Sequence, residues 1–370
     1  MCSYKEPQGT VMKCIYLLLL LSVGVCVSVP VESKEYNHEL SELNQRESTY
    51  STFLADTLSP FWQTKVNKGH FVNRQQLNIH YAYVKVADAQ GAIVISPGRV
   101  EGYEKYQELV YDFTQQGYSV FVIDHQGQGL SSRRLTNKEK GYVEDFDDYV
   151  MDLDQFITDI VKPMHQGKLY LVSHSMGGAI GLRYVQQHPN QFSKAVFSSP
   201  MWGLNSGAIP KPIAKGIFNV VNWFTTLVTD QSPYFFGGQG YNPVEFESNQ
   251  LTTSKQRYQY FRSVYAAKPD LQLGSVTFGW IRASVNAIDT AFKQLNLVKL
   301  PVMVLQAEND EVIENEAQNA FCSELAKLGN PCVNDTPIVI NNAKHELFIE
   351  SDKPRSEVLA KIFMFLSDND

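Results

Sequence analysis

Short apolar runs alternate with amphipathic segments along most of the chain after residue 91. The apolar runs are rich in valine and isoleucine, which indicates buried strands, and they lie at residues 92–96, 119–124, 168–172, 194–198, 301–306 and 337–340. Between them, apolar residues recur every three or four positions, which predicts amphipathic helices. Strands that alternate with helices predict an α/β fold with a mostly parallel sheet and helices on both faces.

The pattern differs before residue 91. Residues 34–70 are polar and lean towards helix without a strong period, so we interpret them as a surface arm. Residues 77–83 then alternate between apolar and polar, which predicts a half-buried antiparallel strand. We expect it to pair with residues 69–74 through a turn near residues 73–76.

One long segment, residues 200–297, interrupts the alternation of strands and helices. It is rich in aromatic residues, and nearly a hundred residues are too many for a loop without structure. Because it starts at the carboxyl edge of the sheet, where such folds bind ligands, we predict a helical cap, or lid, over a site. The alternative is a peripheral subdomain with its own core. The main domain then comprises residues 34–199 and 298–370.

The candidate chemistry lies in residues 168–182, KLYLVSHSMGGAIGL. A buried strand turns sharply into a helix there, with Ser175 at the tip and the first helical N–H groups pointing towards whatever it attacks. Ser-His-Ser-Met-Gly matches the nucleophile elbow G-x-S-x-G, except that Ser173 replaces the first glycine. The alternative is that Ser175 only caps the helix.

A serine nucleophile needs a general base, which follows it in the chain order of elbow hydrolases. Two histidines follow Ser175. His188 lies at the far end of the helix, about 20 Å away, and is excluded. His345 lies between the last strand and the last helix, so we predict that it is the base. His174 points away from the substrate in most elbows, and we assign it a packing role.

The orienting acid should follow a strand and lie between the serine and the histidine in the chain. We predict Asp310, with Glu308 and Glu311 as weaker candidates. An oxyanion hole needs two N–H donors. We expect these from Met176, directly after the nucleophile, and from Arg99, which follows a glycine in the loop after the strand at 92–96. The Arg99 side chain is free to meet a phosphate or a carboxylate of the cap.

Composition restricts the cofactors and the compartment. The formal net charge of −7 argues against non-specific nucleic-acid binding, and the cysteines and histidines lack metal-site spacing, so we expect neither metal nor cofactor. Residues 15–29 are apolar and short for a membrane span, which predicts a signal peptide or anchor over residues 1–33. After export, Cys322 and Cys332 would form a disulfide; reduced packing cysteines are the alternative.

Five segments together resemble the α/β-hydrolase family, and within it the branch of monoacylglycerol lipases and bacterial lysophospholipases. They are SPGRVEGYEKY at 96–106, DHQGQGLS at 124–131, SHSMGG at 173–178, QAEND at 306–310 and HELF at 345–348. The resemblance implies the α/β-hydrolase fold, a Ser175–Asp310–His345 triad and a cap over residues 200–297. Two departures are Pro97, where many members carry histidine, and Ser173.

The resemblance also implies hydrolysis of single-chain acyl glycerol esters. We therefore expect a serine hydrolase that cleaves lysophospholipids or monoacylglycerols through an acyl-enzyme, works at a membrane surface and needs no obligate protein partner. A general carboxylesterase or thioesterase is the alternative among enzymes, and a non-catalytic lipid-binding module is the alternative outside them. We expect export to the periplasm, the envelope or the medium, with the cytoplasmic face of the inner membrane as the alternative.

Overall fold

The computed structural model describes residues 45–203 and 232–368. The predicted signal peptide or anchor at residues 1–33 lies outside the described residues, and so do residues 204–231 of the predicted cap. Over the described ranges, none of the helices has both the length and the apolar character that a membrane crossing requires.

An eight-stranded sheet forms the centre of the domain. Its strands in chain order are β1 (Asn67–Val72), β2 (Asn78–Val84), β3 (Gly91–Ser96), β4 (Tyr118–Ile123), β5 (Leu169–His174), β6 (Lys194–Ser198), β7 (Val302–Ala307) and β8 (Ile338–Ile340). Their spatial order is β1-β2-β4-β3-β5-β6-β7-β8. Strand β2 is antiparallel to β1 and β4, and the other neighbours are parallel. The predicted α/β fold with a mostly parallel sheet is confirmed.

The helices cover both faces of this sheet. In chain order they are α1 (residues 46–64), α2 (Gln107–Gln115), α3 (residues 147–164), α4 (Met176–Gln187), α5 (Lys255–Ala267), α6 (Phe278–Lys293), α7 (Asn315–Lys327) and α8 (Asp352–Ser367). Ala92 and Val94 of β3 belong to the core cluster that includes α3 and α4. By strand alternation, Ile93 and Ile95 face the opposite side. Helices α2 and α8 pack together there.

The strand register aligns the carboxyl ends of the central strands. Ser96 of β3 lies opposite Ser173 of β5, and His174 lies opposite Ser198 of β6. All residues of β3, β5, β6 and β7 are buried, as expected for parallel strands covered on both faces. The loops that follow these four strands therefore leave the sheet at one edge.

The interpretation of the N-terminal part as a surface arm is wrong for residues 46–64. Helix α1 buries Tyr50, Leu58 and Trp62. Its Arg46 donates to Glu108 and Asp112 of α2 at 2.8 Å each. The charge of Arg46 is therefore used in ion pairs with the domain.

The described part of residues 200–297 is helical and lies against the main domain. Helix α6 contributes Trp280 and Ile281 to the main core cluster. Helix α5 forms a smaller cluster, in which Tyr258 and Phe261 pack with Ile349 near the C-terminal helix. Whether the whole insertion acts as a cap stays a prediction.

A disulfide joins Cys322 of α7 to Cys332 in the loop that follows it. Both cysteines are buried in the main core cluster. The bond therefore fixes the C-terminal end of α7 to the chain that leads into β8.

Candidate active site

Ser175 occupies a strained turn between β5 and α4. Its φ of 49° and ψ of −116° lie outside the regions that serine prefers, which costs about 1–3 kcal/mol. Backbone hydrogen bonds maintain the turn, because Ser175 N–H donates to Ser198 at 3.1 Å and Met201 N–H donates to Ser175 at 2.9 Å. Gly177 is required next to it, since a Cβ there would lie 2.0 Å from the carbonyl oxygen of Ser96.

The structure brings Ser175, His345 and Asp310 together. His345 Nε2 lies 3.0 Å from Ser175 Oγ, and His345 Nδ1 lies 2.8 Å from Asp310 Oδ2. Asp310 Oδ1 accepts the backbone N–H groups of Val312 at 2.9 Å and Ile313 at 3.1 Å. Burial would raise the pKa of Asp310, but these bonds and the imidazole lower it. The carboxylate is thus held ionised and points at the imidazole.

The weaker candidates for the orienting acid do not reach the line formed by Ser175, His345 and Asp310. Glu308 and Glu311 are exposed, and Glu308 accepts the N–H of Asn342 at 2.7 Å. His188 follows the last residue of α4 and stacks on Tyr184 with the ring centroids 4.5 Å apart. Its exclusion by distance along the helix agrees with this placement.

The two predicted oxyanion donors occupy the expected turns. Met176 is the first residue of α4, and Arg99 follows Gly98 in the loop after β3. Within residues 45–203 and 232–368, neither backbone N–H has an acceptor. Gln128 secures the loop, because its Nε2 donates to the carbonyl oxygens of Gly98 at 2.6 Å and Glu101 at 2.9 Å. Sequence analysis did not assign this role to Gln128.

A buried charge cluster lies beside these groups, and sequence analysis missed it. The cluster consists of Glu101, Lys105, His174 and Glu346, all buried. Lys105 Nζ donates to Glu101 at 2.7 Å and to Glu346 at 2.6 Å, and His174 Nδ1 lies 3.1 Å from Glu101. The prediction that His174 merely packs is incomplete, because its ring belongs to an ion cluster.

The cluster shifts the ionisation of its members. Burial alone would lower the pKa of His174, but the carboxylates of Glu101 and Glu346 outweigh burial and raise it to about 9. Burial likewise opposes ionisation of Glu101, yet Lys105 and His174 hold the pKa of that carboxyl well below its usual range. The ionised carboxylate of Glu101 therefore faces the ammonium of Lys105 and the imidazolium of His174 at neutral pH.

The same groups resemble a metal-binding set. Ligand atoms of Glu101, His174 and Glu346 all lie within 4.8 Å of one another. However, the ammonium of Lys105 already bridges the two carboxylates. A divalent cation would have to displace Lys105, so these residues do not fit a metal site.

The charge cluster touches three parts of the candidate site. His174 directly precedes Ser175, and its Nε2 lies 3.3 Å from the backbone oxygen of His345. Glu346 directly follows His345. The carboxylate of Glu101 accepts the N–H of Gly98 in the oxyanion loop. Through these contacts, one cluster joins the nucleophile turn, the imidazole loop and the oxyanion loop.

The glycine-containing stretch at residues 124–131 supports the same loops. Asp124 is buried and accepts the backbone N–H groups of Tyr103 at 2.6 Å and Leu130 at 2.8 Å. His125 Nε2 lies 2.9 Å from Ser96 Oγ, at the end of β3. Burial lowers the pKa of His125 to about 3, so its ring is neutral.

Comparison with known proteins identifies relatives over most of the chain. The family model Hydrolase_4, described as serine aminopeptidase, S33, matches residues 87–352. Lysophospholipase L2 of Escherichia coli strain K12 is 32% identical over 322 residues, covering 87% of this chain and 93% of the relative. Monoglyceride lipase of Rattus norvegicus is 24% identical over 301 residues, covering 80% and 89%.

Solved structures show the same fold. A soluble variant of monoglyceride lipase from Saccharomyces cerevisiae, solved with a substrate analogue, matches with a TM-score of 0.60. The match covers 82% of this chain and 96% of the other, at 18% sequence identity.

Proposed function

Because the chain belongs to the Hydrolase_4 family (serine aminopeptidase, S33) and is an ester hydrolase with the α/β-hydrolase fold, we propose that Ser175 cleaves the acyl ester of lysophospholipids or monoacylglycerols. The observation that carries the proposal is the line of contacts from Asp310 through His345 to Ser175. A non-catalytic lipid-binding module would have no need for all three groups in this arrangement.

The geometry suggests a mechanism through an acyl-enzyme. Ser175 Oγ attacks the ester carbonyl while His345 Nε2 takes its proton, and Asp310 stabilises the imidazolium that forms. The backbone N–H groups of Met176 and Arg99 bind the oxyanion, and one such donor is typically worth about 3–4 kcal/mol of barrier. His345 then protonates the leaving alcohol and later activates the water that releases the fatty acid.

The substrate class rests on the relatives. The two curated relatives are named for lysophospholipids and for monoglycerides, and both substrates are glycerol esters with a single acyl chain. Residues 200–297 would cover the chain-binding site as a cap, and the protein would act at a lipid surface. A general carboxylesterase or thioesterase with the same triad is the second candidate.

We further propose that the protein is exported or attached to the membrane. The disulfide between Cys322 and Cys332 supports this proposal, because such bonds persist in oxidising compartments. Fractionation of cells that express the full chain, together with thiol alkylation before and after reduction, tests it. Recovery in the cytoplasm with both thiols free would refute it.

Release of fatty acid from lysophosphatidylcholine, monoacylglycerol and short nitrophenyl esters tests the activity. Ser175→Ala should lower the rate at least about 10³-fold on every ester. Ser367→Ala, an exposed serine at the end of α8, is the matched control and should retain the wild-type rate. Activity that survives Ser175→Ala would exclude the mechanism, and a strong preference for short esters or thioesters would favour the second candidate.

A further inference from the structure

The Arg99 side chain connects the oxyanion loop to the described part of the insertion. Its Nη2 donates to the carbonyl oxygen of Gly274 at 2.5 Å, and its guanidinium lies 5.5 Å from the ring centroid of Trp280 on α6. Its backbone belongs to the loop that packs against Gly177, two residues after the nucleophile. The side chain therefore lies on the path from the nucleophile to the predicted cap.

Among the described residues, the guanidinium of Arg99 has no carboxylate partner. Two fully buried arginines are paired with carboxylates: Arg257 contacts Glu108 at 2.9 Å and Arg355 contacts Asp112 at 2.6 Å. In the part of the chain that the structure describes, no carboxylate pairs with Arg99, and its buried Nε has no hydrogen-bond acceptor. A desolvated cation without a partner is unfavourable, so the site favours an anion that arrives with a ligand. In agreement, burial lowers the pKa of Arg99 to about 10.

The chemistry of this group suits a phosphate. A guanidinium offers parallel N–H donors that match two phosphate oxygens, while the face of Trp280 supports it from the side. Consider the number of covalent bonds between the backbone nitrogen of Arg99 and its guanidinium carbon. The ester carbonyl carbon and the phosphorus atom of a 1-acyl lysophospholipid are separated by the same number of bonds. A lysophospholipid whose ester binds at the Arg99 N–H can therefore extend its phosphate as far as the Arg99 side chain extends its guanidinium.

We propose that the Arg99 guanidinium binds the phosphodiester of a lysophospholipid, and that this contact makes the enzyme prefer lysophospholipids to monoacylglycerols. The inference rests on the proposed function and names the substrate within its class. A monoacylglycerol presents a neutral hydroxyl at the same position and leaves the cation without a counter-ion.

Substitution of Arg99 tests the assignment while the backbone N–H stays in place. Arg99→Met and Arg99→Lys are compared with wild type on a 1-acyl glycerophosphocholine and a 1-acylglycerol with the same short chain, both below their micellar concentrations. The matched control is Arg133→Met. Arg133 also reaches the insertion, through Asp270, but its hydrogen bonds within the described residues all go to backbone carbonyl oxygens.

The readout is the ratio of kcat/KM for the lysophospholipid to kcat/KM for the monoacylglycerol. Loss of a charge-assisted contact should lower this ratio about 10- to 100-fold in Arg99→Met, less in Arg99→Lys, and not at all in Arg133→Met. An unchanged ratio in Arg99→Met, whether or not both rates fall, would overturn the proposal and leave Arg99 as an anchor for the insertion.

A binding measurement on the wild-type protein covers the case in which Arg99→Met does not fold. A lysophospholipid whose ester is replaced by an ether should inhibit hydrolysis of a nitrophenyl ester at least about 10-fold more tightly than the matching alkylglycerol. Equal inhibition by the two ethers would overturn the proposal, and so would inhibition by inorganic phosphate as strong as that by the ether lysophospholipid. If wild type cleaves nitrophenyl esters but neither lipid, the proposed function itself fails. If wild type cleaves the lipids and only the expected change in the kcat/KM ratio or the expected difference in inhibition is missing, only the role of Arg99 is refuted.

Discussion

Replacement of His174 by glutamine should remove a pH-dependent part of the stability. The imidazole is 1% exposed and lies between Glu101 and Glu346, with Lys105 on the other side of both carboxylates and the His345 ring 4.9 Å away. Glutamine has a similar reach and can keep a hydrogen bond to Glu101, but it carries no charge. The variant therefore isolates the imidazolium.

The magnitude follows from the shift in the pKa of His174. In the folded protein this pKa is raised from 6.5 to about 9. At a pH low enough to protonate the ring in both the folded and the unfolded protein, this shift stabilises the fold by about 3 kcal/mol. Because the folded pKa is the higher one, the stabilisation is complete below pH 6.5 and is lost as the pH rises through 9.

Three neighbouring groups, Glu101, Lys105 and Tyr106, do not titrate in this window. The pKa of Glu101 lies well below its usual range, the pKa of Lys105 is raised above its usual 10.5, and the pKa of the neighbouring Tyr106 is raised well above 10. The pH dependence of the difference between wild type and His174→Gln is therefore assigned to the imidazole of His174 rather than to these three groups.

Urea unfolding of both proteins at several values between pH 6 and pH 9.5 measures this difference. The gap in unfolding free energy should shrink by about 3 kcal/mol across the range. His80→Gln is the control, because burial and His70 lower the pKa of His80. Any change in its gap is therefore confined to the acidic end of the range and has the opposite sign to that of His174. A gap that stays constant with pH would show that His174 is not an imidazolium in the folded protein.

Three further substitutions test other parts of the structure. Asp310→Asn should lower kcat on a soluble ester about 10⁴-fold with the fold intact, because the imidazole loses its orienting carboxylate; a loss under tenfold would contradict that role. Glu108→Gln should reduce the unfolding free energy by about 3–5 kcal/mol in urea, since Arg257 and Arg355 lose a buried partner, and an unchanged urea midpoint would refute the importance of these pairs. Cys332→Ser should cost about 2–3 kcal/mol, and a reductant should lower the Tm of wild type to that of the variant; a Tm insensitive to reductant would count against the disulfide.

The strands and helices near the site were largely predictable from the sequence. The apolar run at 92–96 became β3 (Gly91–Ser96), and the helix expected after Ser175 became α4 (Met176–Gln187). Both elements are buried on most sides, so their hydrophobic pattern carries nearly all the information about where they lie. The order of the motifs along the chain then placed Ser175 and His345 on neighbouring loops.

Helix α1 shows where hydrophobic periodicity fails. Residues 46–64 are polar enough to suggest an arm on the surface, yet Arg46 pairs with Glu108 and Asp112 across more than sixty positions of sequence. A charge that is buried by a distant partner has the same appearance in a sequence as a charge exposed to water. Only the tertiary structure distinguishes the two cases.

The charge cluster extends this argument to the site. Strand order places β3 beside β5, and only then can Glu101, after one strand, meet His174 at the end of the other. Three of its four members adjoin a group of the candidate machinery: His174 precedes Ser175, Glu346 follows His345, and Glu101 binds the loop of Arg99 through the N–H of Gly98. Chain order alone therefore suffices to nominate the reacting groups. The hydrogen-bond distances between them depend on long-range ion pairs, since the cluster connects the loops that carry Ser175, His345 and Arg99.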